Sequence, residues 1–251
     1  ARLYMIKELT RIVETKTVED TWAALSQELS RLGFDRLFYG YTRFRTKNGL
    51  GSKDDMLVLT THTDKYIQDF FDREMYLNAP MTKWAAENDG IMSWSYLKNN
   101  AHTFTPAEMD VIEYNKLHGI TSGYTISFSD RSKRQKGALA LTPRERMSQA
   151  EVDMLWDETG AEINLLAQVA HLKISTLPFP SDRRRLSKRQ REVLEWVGDG
   201  KTMQDIATIM GLTVATVEKH LRKAREALGV DTTAQAVMKA SVQKQIFVTD
   251  I

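Results

Sequence analysis

Two prolines within Leu177-Pro178-Phe179-Pro180 divide this chain into segments of different character. Proline fixes its own φ, lacks the N–H that a helix needs, and pushes the preceding residue toward extended backbone, so the stretch from Lys173 to Asp182 favours a connector. Composition changes across it. From Ser181 onward there are 13 Lys+Arg against 9 Asp+Glu, net +4, whereas the preceding part carries 22 against 24, net −2. Nineteen of the 22 aromatic residues lie before Lys173. A length of 251 residues suits two modest domains. The pattern predicts an aromatic, slightly acidic domain over 1–172, a linker over 173–185 and a small basic domain over 186–251.

Several function classes fall away. The chain has no cysteine, which removes disulfides, thiolate nucleophiles and cysteine-ligated metals. No run of about 18 apolar residues is present to span a bilayer. Ala1-Arg2-Leu3-Tyr4 lacks the basic-then-apolar pattern of a signal peptide, so a soluble cytoplasmic protein without membrane contact is expected. No phosphate-binding, metalloprotease, nucleophile-elbow or dinucleotide motif occurs. His62, His102, His118 and His171 form no spaced metal pair, and Asp54-Asp55 and Glu87-x-Asp89 read as solvated loop carboxylates. Neither an enzyme nor a resident metal or cofactor is expected.

The basic domain reads as four short helices. Ser187-Lys188-Arg189-Gln190 has capping-box form and opens a helix with Val193, Leu194 and Val197 inward, ended by Gly198 and Gly200. Thr202 caps the next, Gly211 permits a left-handed turn, and Thr213 caps the third. In that third helix Val214, Val217, Leu221, Ala224 and Leu228 recur at helical spacing. A fourth helix is expected from Thr233 to Gln243. Away from the apolar stripe the third helix presents Ala215, Lys219, Arg222 and Glu226, flanked by Thr216 and Lys223. Small residues in front and cations behind suit entry into a major groove about 12 Å wide. Charge alone explains the same face equally well as a solvated one.

The spacing of Leu186-Ser187-x-Arg189-x-x-Glu192-Val193-Leu194-x-Trp196, Gly200-Lys201, Ile206-Ala207, Thr216-Val217-x-x-His220 and Leu228-Gly229-Val230 closely resembles the LuxR/NarL-type helix-turn-helix. The one departure is Gln190, where that family usually has Glu; Gln serves a capping box equally. The resemblance implies a double-stranded DNA partner contacted by Thr202, Thr213, Thr216, Lys219, Arg222 and Lys223, with His220 a packing residue or a phosphate contact.

The first domain lacks the regular β/α alternation of a phospho-acceptor receiver. It opens with a helix from Thr17 to Arg31, then strands at Phe34 to Arg45 and Met56 to Thr61 around a turn at 48–51. Helices follow around Lys65 to Glu74, around Ala79 to Asn88 and after Thr105-Pro106-Ala107-Glu108, then strands at Tyr124 to Ser129 and Lys136 to Leu141 with a basic tip at Arg131 to Arg134. A long helix begins at Ser148-Gln149-Ala150-Glu151, with Val152, Leu155, Trp156, Ile163, Leu166 and Ala170 inward. Leu165, Val169 and Leu172 lie on its other sides, which suits either a homodimer contact or cover for its own domain.

This order, with Leu32-Gly33-Phe34-Asp35, Pro80, Ser93-Trp94-Ser95 and His118-Gly119 to Gly123, resembles the autoinducer-binding domain of LuxR-type quorum-sensing regulators. The resemblance implies an α+β protein: an α/β/α sandwich sensor followed by the four-helix helix-turn-helix domain. It also implies a small-molecule signal, an acyl-homoserine lactone or a variant, bound near Tyr66, Phe70, Asn78, Ala79, Trp94, Phe104 and Ala140. Trp94 keeps the family's residue. Tyr66 stands where the family has Trp, Phe70 where it has Tyr, Ala79 where it has Asp, and Ala140 where a strand Ser or Thr falls; Asn78 offers an amide oxygen one residue from the lost carboxylate. The same aromatic set reads alternatively as an ordinary core, in an orphan regulator that needs no ligand or acts as a heterodimer with a related regulator.

Overall fold

The computed structural model describes residues 2–46, 49–144, 146–179 and 184–248. They form two compact units, Ala1–Gly51 with Leu57–Ser175, and Ser52–Met56 with Thr176–Ile251.

The first unit is built on a five-stranded sheet. Its strands are β1 (Phe34–Thr42), β2 (Met56–Thr60), β3 (Gly90–Ser93), β4 (Tyr124–Ser127) and β5 (Lys136–Pro143), in the order β2-β1-β5-β4-β3. The β1–β5, β5–β4 and β4–β3 pairs are antiparallel. Register places Phe38 opposite Ala140 and Tyr39 opposite Leu139. Successive side chains in a strand point to opposite faces, and the neighbours of this pair differ accordingly. The Tyr39 ring lies 6.2 Å from Trp22 and 6.0 Å from His171. The Phe38 ring lies 5.9 Å from Phe70 and 6.1 Å from Phe71. Helices α2 (Val18–Arg31) and α7 (Gln149–Thr176) therefore cover one face, and α3 (Asp64–Asp72) the other, the α/β/α layering expected.

Local chemistry accounts for most helix ends. Thr17 accepts from the Asp20 N–H to start α2, and Thr63 accepts from the Tyr66 N–H to start α3. α4 (Pro80–Glu87) has proline in its first turn, and α6 (Pro106–Leu117) opens on the Thr105–Glu108 capping box. Two elements escaped the sequence reading. α1 (Arg2–Glu14) precedes the helix expected to be first; it buries only Glu8 and Ile12, too thin a stripe for periodicity to reveal. β3 is a four-residue edge strand whose first two residues are exposed, so it shows no alternation. β1 ends at Thr42, short of Arg45, and β5 continues past Leu141 to Pro143. Part of the turn expected at 48–51, Asn48, lies outside the described residues.

The 28-residue α7 is tied to the sheet at both ends. Near its start Gln149 Nε2 donates to the Gly123 carbonyl and to Asp153 Oδ1, which also accepts from Ser93 Oγ and the Tyr124 hydroxyl. Toward its end buried His171 joins Asp130 Oδ1 through Nε2 and the Tyr39 hydroxyl through Nδ1, each at 2.9 Å. Its ring stacks on Phe128 at 4.0 Å. The helix runs to Thr176, into the stretch read as connector, and stops just before Pro178; Pro180 to Arg183 lie outside the described residues. Met154, Leu165 and Leu172 remain exposed along one side. No described helix is long and apolar enough to cross a membrane.

The second unit holds α8 (Lys188–Gly198), α9 (Met203–Met210), α10 (Val214–Leu228) and α11 (Thr233–Val242). Ser187–Gln190, Thr202–Asp205 and Thr232–Gln235 form capping boxes. Gly211 and Gly229 take left-handed φ of 64° and 65°, a conformation that costs other L-residues energy. Val193, Leu194, Ile206, Val217, Leu221, Leu228 and Ala236 close one core, each large side chain contributing about 1.5–3 kcal/mol on burial. Asp55, expected to be solvated, is buried and accepts from Lys239 Nζ at 2.9 Å in this unit.

Gly123 marks a tight crossing: a Cβ there would run into the Leu141 carbonyl and reach 3.3 Å from Trp94. Gly123→Ala should destabilise the protein by about 1–3 kcal/mol through overpacking, measurable as a lowered urea midpoint.

Candidate functional site

Between the sheet and helices α3, α4 and α6 lies a cavity of about 710 Å³. Phe38 on β1 and Ala140 and Thr142 on β5 supply its sheet wall. Tyr66 and Phe70 on α3, Ala79 and Pro80 at the start of α4, and Met109 and Ile112 on α6 supply the helical walls, and Trp94 closes one side. Lys98, Asn99, Thr121 and Ala150 among its lining residues are exposed and mark where it opens. An apolar, aromatic enclosure with a few polar groups suits a small ligand.

Five of the seven residues expected to bind the signal, Tyr66, Phe70, Ala79, Trp94 and Ala140, share this wall. Asn78 and Phe104 do not, which corrects their assignment. Asn78 ends the short 3₁₀ turn Met75–Leu77, its N–H bonded to the Met75 carbonyl, one residue before α4 turns the chain inward at Ala79. Phe104 precedes α6 and packs on Tyr96, with 6.3 Å between ring centroids.

The two polar aromatics are already engaged. Trp94 Nε1 donates to Thr125 Oγ1 at 2.9 Å, and the Tyr66 hydroxyl donates to Asn115 Oδ1 at 2.8 Å. Tyr66, from which a hydrogen bond to a ligand was expected, thus spends its proton on the protein. Burial, with Tyr114 beside it, pushes the phenol well above its ordinary range, so it stays neutral. His62 stacks on Tyr66 at 4.9 Å; burial, with Arg36 and His118 nearby, holds it down at about 4. The cavity beside it carries no positive charge at neutral pH.

Sequence reasoning missed Phe38, His62, Asn115 and Thr142. Phe38 and Thr142 could have been found by stepping two residues along strands from Ala140 and its β1 partner. Asn115 and His62 gave no such signal, because helix closure over the sheet sets their positions.

In the second unit α10 buries Val217, Leu221, Ala224 and Leu228 and leaves Lys219, Arg222 and Lys223 exposed. Thr213 caps the helix, accepting from the Thr216 N–H and lying 2.9 Å from the Thr216 hydroxyl. Thr202 caps α9 and donates to Asp205 Oδ2 at 2.7 Å. Arg222 pairs with Glu226 at 2.7 Å, both half-exposed or more. Such a pair is worth below about 1 kcal/mol and yields readily to a phosphate or a base edge. The site residues expected for DNA thus lie on, or cap, the two helices of a helix-turn-helix.

A family model described as autoinducer binding domain matches residues 17–174, and one described as bacterial regulatory proteins, luxR family, matches 184–240. The transcriptional activator protein EsaR of Pantoea stewartii subsp. stewartii is 25% identical over 235 residues, 90% of this chain and 91% of that protein. The transcriptional activator protein AnoR of Acinetobacter nosocomialis is 24% identical over 243 residues, 92% of this chain and 94% of that protein. Among solved structures, the N-acylhomoserine lactone dependent LuxR family factor CepR2 from Burkholderia cenocepacia superposes with a TM-score of 0.53 at 18% identity, covering 68% of this chain and 93% of that one, a likeness of fold.

Because folded His62 resists protonation until about pH 4 while the unfolded chain takes up that proton near pH 6.5, stability should fall as pH drops through this window and be indifferent to His62 above it. His62→Gln should flatten that part of a pH–stability curve. Arg222→Ala should lose about 1–3 kcal/mol of DNA affinity with relaxed preference at one base pair if the side chain reads a base; equal weakening on all sequences in a binding assay would make it a phosphate contact.

Proposed function

We propose, for a chain that belongs to the LuxR family of bacterial transcriptional regulators and carries that family's autoinducer-binding domain, that a small, largely apolar signal in the cavity controls binding to double-stranded DNA. The observation that carries this reading is the open space itself. Tight packing of Tyr66, Phe70 and Trp94 into one another would have favoured an orphan regulator; instead they line about 710 Å³. A ligand that binds only the folded state adds RT ln(1 + [L]/Kd) to stability, so occupancy favours the form competent to hold DNA.

The signal is an acyl-homoserine lactone or a variant of it. Ala79 cannot accept a hydrogen bond from an amide as a carboxylate would, a loss of roughly 1.5–3 kcal/mol and hence of one to two decades in affinity for an ordinary lactone. Thr202, Thr213, Thr216, Lys219, Arg222 and Lys223 face the duplex, Lys and Arg supplying the salt-sensitive part of the affinity. The exposed Met154, Leu165 and Leu172 on α7 support a homodimer, whose paired reading helices would engage two half-sites. A heterodimer with a related regulator would use the same side. The site of action is the cytoplasm, where the operator DNA is.

One observation favours the ligand-independent alternative: the Tyr66–Asn115 and Trp94–Thr125 bonds are complete with nothing bound. Thermal denaturation with a panel of lactones and culture extracts separates the two readings. A rise of several degrees with any small molecule is the expected result, and none across the panel would favour the orphan. Ala79→Asp should tighten binding of an amide-bearing lactone about tenfold or more, read by titration calorimetry.

A further inference from the structure

We propose that this chain reads its signal through Asn115 and Thr142, and that the signal is a long-chain neutral acyl ester, with acceptor oxygens in its head and no amide N–H. The inference rests on the cavity being a ligand site.

Thr142 is 1% exposed and lines the cavity, yet its Oγ1 has no hydrogen-bond partner. Buried hydroxyls almost always have one, so this one is unsatisfied until the space beside it is filled. Asn115 supplies a second group. Its Oδ1 accepts from the Tyr66 hydroxyl, which fixes the amide and leaves Nδ2, with its two N–H groups, without a protein acceptor. Both lie toward one end of the cavity. Arg36, opposite Thr142 in the β1–β5 register, donates to the Pro143 carbonyl beside Thr142 and to the Gly119 carbonyl. The next residue, Ile120, returns its N–H to the Asn115 carbonyl at 2.9 Å.

The inner wall is poor in acceptors. Ala79 has no polar side chain, and its carbonyl takes the Lys83 N–H at 3.0 Å. The lining carboxylate, Asp153, belongs to α7 beside exposed Ala150, with three donors already on Oδ1. A head placed against Asn115 and Thr142 therefore meets N–H and O–H groups. Ester oxygens satisfy them, while an amide N–H would be buried facing Ala79 without an acceptor.

The test titrates the full chain with N-decanoyl-homoserine lactone, with the matched lactone whose amide is replaced by an ester, and with decanol as an apolar-chain control. The ester should bind about tenfold more tightly than the amide. Thr142→Val should weaken the ester about five- to tenfold while raising the thermal midpoint of the ligand-free chain, because it removes an unpaired hydroxyl without changing the side chain's shape. A purely structural threonine would not move those two readouts in opposite senses. Asn115→Asp keeps an acceptor for Tyr66 but removes the donors, and should shift preference back toward the amide. An amide bound as tightly as the ester, or an ester indifferent to Thr142→Val, overturns the proposal and leaves the sensor reading intact. If none of the three molecules binds, the sensor reading falls with it.

Discussion

The register between β1 and β5 governs the first unit. With Phe38 paired to Ala140 and Tyr39 to Leu139, large rings on β1 alternate between two environments. Tyr39 and Tyr41 enter a dense layer under α2 and α7 and are among the largest fully buried side chains. Phe38 faces the other way, across from small residues on β5, and space remains there. A slip of one residue would exchange the two sets and bury the polar Thr142 face beneath α7. The cavity is thus a product of pairing: large aromatic groups are concentrated on one side of the sheet and alanine on the other.

The same logic separates what could be read in advance from what could not. The second unit was legible almost residue by residue. Ser187, Thr202 and Thr213 cap the helices predicted to start there, and Gly211 turns left-handed between α9 and α10. These signals are local, decided within one turn of backbone. In the first unit the helix starts at Thr17 and Thr105 were equally visible, and Ala79, Tyr66 and Trp94 were placed through family spacing. Asn115 and Thr142 were not, because their significance lies in which partners they have or lack, and that depends on elements distant in sequence. Asn78 and Phe104 were misplaced for a related reason: nearness in sequence to cavity residues does not set direction, and a 3₁₀ turn and a helix lead-in point them elsewhere.

Electrostatics on the two sides of the molecule's function contrast. The cavity keeps its ionisable groups neutral, Tyr66 and His62 through burial, so hydrogen bonds and apolar contact decide what fits. On α10 the cations stand in water, paired at most with an exposed Glu226, and long-range attraction to an anionic polymer is available at little cost.

The fastening of α7 has a mechanical corollary. Anchored at one end by the Gln149–Asp153 cluster and at the other by His171 between Asp130 and Tyr39, the helix cannot ratchet by a turn without stripping several interior polar atoms of their partners together. Its outward Met154, Leu165 and Leu172 are therefore carried in a constant frame relative to the strands. Whatever fills or empties the space beneath α3 alters how firmly that platform is held, not where its apolar ridge points.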